Sequence, residues 1–413
     1  MRLFSCLLDD DSRDAMAPAR TSFLTIFAVF LRLGLSSFGG PSAHLGYFRD
    51  EFVVRRGWLS EDAYADLVAL CQFLPGPASS QVGFSLGVLR GHGLLGGCAA
   101  WLGFTLPSAL IMFAFALGAA SFTGPLAQGL IHGFKLVAVA VVAHAVLGMA
   151  RSLAPDGRRA GIALGAMCIV IFMSGMFGQV AAIGAGALAG WLLCRSVAAP
   201  LTAHVAFPVP RTAGIAALVL FAGLLLWTSL PAGTAGSGTV SLFDAFYRSG
   251  ALVFGGGHVV LPLLRAELVA PGWIGADRFL AGYGVAQAVP GPLFTFAAYL
   301  GAASSIASGP ASGAAVALVA VFLPGLLLVY GALPFWSRLR AWPGVQSAMR
   351  GANAAVVGVL GAALYDPVWT GAVVEARDFA AVVAGFLMLT VWKVAPWVVV
   401  VVLGVAGMLF KFM

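Results

Sequence analysis

The chain has 413 residues, 61% hydrophobic and 9% charged, with a formal net charge of +7. Soluble globular domains carry about 25% charged residues, so this composition excludes an ordinary soluble enzyme and indicates a polytopic membrane protein. The cations are scattered singly with no basic run; they suit loop anchors that orient helices, and nucleic acid is not expected as a partner.

Met1 to Arg20 contains a short apolar run followed by Asp9-Asp10-Asp11. That is too short and too acidic for a signal peptide, so 1–20 reads as a disordered tail, and Met16 could serve as the start. Phe23 to Phe38 is the first apolar segment, interrupted by Arg32 and ended by Gly39-Gly40-Pro41. Residues 42–57 carry Arg49, Glu51, Arg55 and Arg56, which suits an interfacial helix. Ser60 followed by Glu61 and Asp62 is a helix start, a hydroxyl cap with acids at the positive end of the dipole.

The limb from Asp62 stops at Gln72-Phe-Leu-Pro75-Gly76-Pro77, and a second limb runs to Leu89. Prolines lack the amide donor and push the preceding residue out of the helical region, so this motif breaks the segment. Each limb is shorter than the about 20 residues a crossing needs. The two either stack as one broken crossing or fold back as a re-entrant hairpin. Further apolar segments follow at 94–119, 128–150, 159–174 and 177–194, the last with Gly186-xxx-Gly190, a spacing that lets helices approach closely. A Pro-rich stretch and a lone apolar segment, 212–230, come next. The plan then repeats: 241–256, an interfacial stretch near Arg265, a broken pair at 277–304, and segments at 311–331, 346–365, 377–392 and 394–411.

The repetition is residue by residue. Gln72 to Pro77 returns as Gln287-Ala-Val-Pro290-Gly291-Pro292, an offset of 215 (287 − 72). Arg32, Phe38-Gly39-Gly40 and Glu51 return as Arg248, Phe254-Gly255-Gly256 and Glu267 at 216 (248 − 32), and Pro107 returns as Pro324 at 217 (324 − 107). A collinear duplication of this length divides the chain into a first transmembrane repeat (21–194), a linker with an extra helix (195–240) and a second repeat (241–413). The fold class is all-α, with two homologous helical repeats, each holding a Pro-Gly-Pro-broken pair. Seven crossings between equivalent points make the repeats inverted, the reading adopted here; a re-entrant pair leaves six and makes them parallel. Broken segments at matching places in two halves are a sequence pointer to a transporter's binding site.

Phe38-Gly-Gly-Pro41-x-x-His44, Gly57-Trp58-Leu-Ser, Gln72-x-x-Pro-Gly-Pro77 and Leu106-Pro107 resemble the first half of the chromate ion transporter (CHR) family. Phe254-Gly-Gly-Gly257, Leu261-Pro262, Gly272-Trp273, Gln287-x-x-Pro-Gly-Pro292, Phe322-Leu-Pro324 and Gly351-Ala-Asn353 resemble its second half. The resemblance implies a two-repeat carrier that exports chromate across the inner membrane and confers chromate resistance, with sulfate the nearest look-alike. One departure is visible: where the first half has Arg90-Gly-His92, the second runs into Ala-Ser-Ser, so a symmetric role for that arginine is not expected.

Chromate and sulfate are tetrahedral dianions and need donors and positive charge away from water. Helix starts after Pro77 and Pro292 each supply free amides and about half a positive charge. Ser79, Ser80 and Gln81 in one half and Thr295 in the other add donors, and Arg32 and Arg248 sit at matching depths. Two arginines and two helix starts would set about +3 against −2. Gln72 and Gln287 either touch the ion or bridge backbone freed by the break, and Gly39, Gly40, Gly255 and Gly256 either admit the ion or let helices touch. Asp244, four residues before Arg248, is a possible ion-pair partner for it. His44, His258 and Lys135 are weaker candidates.

The five cysteines form no CxxC pair and the histidines no HExxH, so no metal or cofactor is expected. A membrane-embedded enzyme would need such a motif or GxSxG, and ATP drive a Walker A loop; the sequence has none of them. A passive oxyanion channel is the alternative to a carrier. The expected partners are a chromate- or sulfate-like dianion and the lipid bilayer, and a second copy could complete a homodimer.

Overall fold

The computed structural model describes residues 21–119, 124–173, 176–194, 207–230, 238–254, 257–336 and 342–411. Among these residues there are helices and no strand. The first repeat holds α1 (Phe23–Ser36), α2 (Gly40–Arg49, continued by a π turn Asp50–Arg55), α3 (Glu61–Phe73), α4 (Ala78–Arg90), α5 (Leu94–Ala119), α6 (Pro125–Leu153), α7 (Gly157–Phe172) and α8 (Met176–Leu193). After α9 (Arg211–Ser229) the same series returns as α10 (Gly238–Ala251), α11 (Val260–Leu268), α12 (Ala276–Ala286), α13 (Phe296–Ala303), α14 (Pro310–Ala332), α15 (Pro343–Ala363), α16 (Ala376–Thr390) and α17 (Pro396–Phe410). Five helices among the described residues are long and apolar enough to cross a membrane: α5, α6, α9, α14 and α15 with its continuation to Trp369.

The segments before α5 and α14 are hairpins. Ser60 caps α3 by accepting from the Ala63 amide, and α3 ends at Phe73. The chain turns at 74–77 and α4 runs back until Arg90 donates to the carbonyls of Gly57 (3.3 Å) and Trp58 (2.8 Å). The Arg90 carbonyl meanwhile accepts from Thr21 (2.8 Å), so both ends of α1–α2 meet the same place. Residues 21–90 are therefore two fold-back hairpins on a common base, with tips at 37–40 and 74–77. The second repeat does the same without an arginine: the Ser305 amide donates to Trp273 (3.0 Å), and Thr239 meets Ser308 (3.2 Å). A main-chain amide there performs the task of the Arg90 side chain, which explains the departure in sequence at that point.

The broken pair therefore folds back on itself as a hairpin instead of continuing in one direction. The expected interfacial helix at 42–57 forms the returning limb of the first hairpin. Phe48 and Phe52 are fully buried against Phe30, with ring centroids 5.7 and 5.0 Å away, so one face of this limb packs on the hairpin while Tyr47, Arg49, Val54 and Arg55 stay exposed on the other. Its charged residues Glu51, Arg55 and Arg56 gather at the base in one ion-pair group.

Helix α5 starts at the base of the first hairpins, passes their tips and ends beside the second set, where Phe115 stacks on Tyr299 at 5.5 Å. Helix α14 starts at the base of the second set, passes Gly76 and ends where Trp336 donates to Asp66 (3.1 Å). The remaining helices exchange partners between repeats: α6 packs on α16 and α17, and α15 on α7 and α8. The Gly186-xxx-Gly190 face meets Gly351 there; a Cβ on Gly190 would lie 2.5 Å from the Gly351 Cα. Gly190→Val is expected to lower the melting temperature of the purified protein, because overpacking such a crossing costs about 1–3 kcal/mol; an unshifted melt would refute the close crossing.

Candidate functional site

The hairpin tips of the two repeats interlock. The Gly76 amide donates to the Val253 carbonyl (2.7 Å), and the Gly291 amide donates to the Ser37 carbonyl (2.9 Å). Each Pro-Gly-Pro turn is thus fastened to the residue just before the other repeat's Phe-Gly-Gly. Both glycines have positive φ, 121° and 96°, the region open to glycine and strained for other residues. Each also nests against the other repeat's proline-containing helix: a Cβ on Gly76 would lie 2.9 Å from Gly325 Cα in α14, and one on Gly291 2.8 Å from Ser108 Oγ in α5.

Polar side chains are buried around these contacts. Ser37, His44 and Gln81 are wholly inaccessible, and Ser79, Ser80, Thr105, Ser108 and Thr295 nearly so. His44 Nδ1 lies 3.4 Å from Ser79 Oγ, and the His44 ring meets Phe104 edge-on at 5.2 Å. Ser108 donates to the Thr105 carbonyl (3.0 Å). Among the described residues, Ser37 Oγ, His44 Nε2, Ser80 Oγ, Gln81 Oε1 and Thr105 Oγ1 are buried without a hydrogen-bond partner. Buried polar atoms are normally satisfied, and a cluster of unsatisfied ones marks a place that a ligand with matching groups can complete. Helix α4 begins after Pro77 with no side chain capping it, which leaves its first-turn amides without intrahelical partners.

Several of the residues expected from sequence come together here: Pro75, Gly76, Pro77, Ser79, Ser80 and Gln81 from one repeat, and Pro290, Gly291, Pro292 and Thr295 from the other. Gln81 Nε2 has a structural task, donating to the carbonyls of Pro75 (2.8 Å) and Gly325 (2.9 Å). Thr295 turns its hydroxyl onto the Pro292 carbonyl (2.8 Å), and Gln287 reaches only the Tyr283 carbonyl (3.4 Å). Gly39 and Gly40 form the first tip, both with positive φ. Gly255 and Gly256 lie outside the described residues.

The two arginines do not join the cluster. Arg248 is gripped by both oxygens of Glu267, at 2.9 and 2.6 Å, and also donates to the Thr228 carbonyl. Arg32 lies on an exposed strip of α1 with Leu24, Ala28 and Leu35, and Gln72 is exposed on α3. The expected balance of about +3 is therefore not assembled at the tips; the centre there is made of neutral dipoles and one imidazole. Ser37, Thr105 and Ser108 were not singled out from sequence. Their signal was present in the hydroxyls flanking Phe38-Gly39-Gly40 and Pro107, at the very points where the duplication is strongest.

The comparisons with known proteins agree with this architecture. The family model described as "Chromate transporter" matches residues 24–191 and again 240–408. The chain belongs to the chromate transporter family. A chromate transport protein of Pseudomonas aeruginosa is 32% identical over 97% of this chain and 95% of its own length. A probable chromate transport protein of Synechococcus elongatus is 28% identical over 97% and 99%, and a chromate transport protein of Cupriavidus metallidurans 26% over 80% and 79%. No solved structure matches. The doubled match places both Pro-Gly-Pro turns and all four hairpins inside the chromate transporter repeats.

Proposed function

We propose that the protein is a secondary carrier that exports chromate, and sulfate-like tetrahedral oxyanions with it, across the inner membrane and so confers chromate resistance. The observation that carries this reading is the interlock of the tips: two reciprocal backbone bonds surrounded by buried, unpartnered polar side chains. Irregular backbone at membrane depth is tolerated where protein buries it or it lines a site, and neutral donors from several elements suit an ion with four equivalent oxygens. The names of the relatives supply the substrate class.

The repeats in this proposal face opposite sides of the membrane. With two fold-back hairpins in each repeat, the crossings between equivalent points reduce to α5 through α9, an odd number. The opposite courses of α5 and α14 between the two hairpin bases support the same arrangement. Alternating access then consists of opening one hairpin set from the shared centre while the other stays fastened. Arg32, exposed at membrane depth where a central arginine costs about 2.5–3.5 kcal/mol, acts on the approach of the anion.

The test is labelled chromate flux in proteoliposomes with sulfate competition and an imposed pH step. Flux that concentrates chromate, yields to sulfate and collapses with the ion gradient is expected; flux that only equilibrates would make the protein a channel. Arg32→Ala is expected to abolish flux with normal membrane insertion, and unchanged flux in that variant would remove Arg32 from the pathway.

A further inference from the structure

We infer that the oxyanion site is one-sided: it lies at the junction of the first repeat's tips with Pro290-Gly291-Pro292, and the mirror junction holds no ion. The inference rests on the carrier reading above and assigns Ser37, His44, Ser79, Thr105 and Ser108 as its side-chain ligands, with no new role for Gln81. The two junctions share their backbone bond, Gly291 to Ser37 and Gly76 to Val253, but their side chains differ in kind.

At the repeat's own offsets, Ser37 corresponds to Val253, Ser79 to Phe294, Thr105 to Phe322 and Ser108 to Gly325. At these four positions each hydroxyl has a hydrocarbon or a bare backbone as its counterpart; Ser80 alone is matched by a hydroxyl, Thr295, and that one is already turned onto the Pro292 carbonyl (2.8 Å). Phe294 and Phe322 pack together with centroids 5.5 Å apart, and Trp101 closes on Phe322 at 5.7 Å, so rings fill the mirror junction, where the buried indole N–H of Trp101 is a lone ring donor against the several hydroxyls of the polar side. On the polar side Ser37 Oγ, His44 Nε2 and Thr105 Oγ1 are buried and unpartnered. A buried donor without an acceptor is costly, and these three, from the end of α1, from α2 and from α5, are satisfied together by one tetrahedral ion. The fastened aromatic junction serves as the rigid half of the centre, against which the polar half binds.

The experiment is equilibrium dialysis of the full chain in detergent against labelled chromate, sulfate and molybdate. One ion per chain is expected. Ser37→Ala with Thr105→Val, both small changes, should weaken binding about 10- to 100-fold, the loss of one or two hydrogen bonds to a charged group, with an unchanged melting temperature. His44→Gln should bind better than His44→Ala, because the amide restores a donor. Two ions per chain, or full affinity in the folded Ser37→Ala/Thr105→Val protein, would overturn the one-sided site while leaving the chromate carrier intact. Binding of sulfate or molybdate without chromate, still weakened by the variants, would support the site and overturn the chromate substrate. Binding of none of the three ions would overturn both.

Discussion

Gly76→Ala is expected to abolish chromate flux while the protein still reaches the membrane. The methyl group meets two obstacles. At φ 121° an alanine is held in a backbone region costing about 1–3 kcal/mol, and its Cβ would lie 2.8 Å from Gln81 Nε2 and 2.9 Å from Gly325 Cα. Relief requires the tip to withdraw from α14, which breaks the Gly76–Val253 bond and frees the first hairpin pair from the second. The hairpin bases, held by Arg90 and by Ser305, lie far along the chain from this change and should persist. Gly291→Ala repeats the test on the other side, where φ is 96° and the obstacle is Ser108 Oγ at 2.8 Å. Flux per inserted molecule is the measurement; wild-type flux in both variants would mean that the interlocked tips are not part of the transport cycle.

Glu267→Gln should cause the largest loss of stability. The Arg248–Glu267 pair is bidentate, with side chains 19% and 11% exposed, and joins α10 to α11 within one hairpin. Removing one partner of a buried pair strands the other charge, at about 3–5 kcal/mol. Asp244 on the same face of α10 offers only partial compensation, since the Arg248 guanidinium bonds to Glu267 and Thr228 and the Asp244 Oδ1 is itself buried and unpartnered. Replacing both partners, Arg248→Met with Glu267→Leu, should recover most of the melting temperature, because apolar groups of similar size need no partner. That double variant also decides what Arg248 is for. Retained flux is expected if the arginine braces the hairpin; a folded double variant without flux would return Arg248 to the anion.

The first repeat shows why matching arginines in sequence do not share a role. Glu51 stands where Glu267 stands, yet it is occupied by Arg55 at 2.8 Å and Arg56 at 2.6 Å, two cations the second repeat lacks at those positions. Arg32 is thereby left on the exposed strip of its helix. A duplication copies positions, and later local substitutions reassign the partners; only side-chain geometry reveals which pairing won.

What the sequence determined alone is the membrane class, the two repeats and the helix breaks at the two Pro-Gly-Pro steps. These follow from composition and from the local chemistry of proline and glycine, which act within a few residues of themselves. The tertiary structure decided that the broken pairs fold back, that Phe48 and Phe52 bury one face of 42–57 against Phe30, that Arg248 is spent on Glu267, and that Ser37, Thr105 and Ser108 lie beside the second repeat's turn. Each of these depends on contacts between segments far apart in the chain, and a periodic apolar pattern reads the same whether a limb continues across the bilayer or turns back within it.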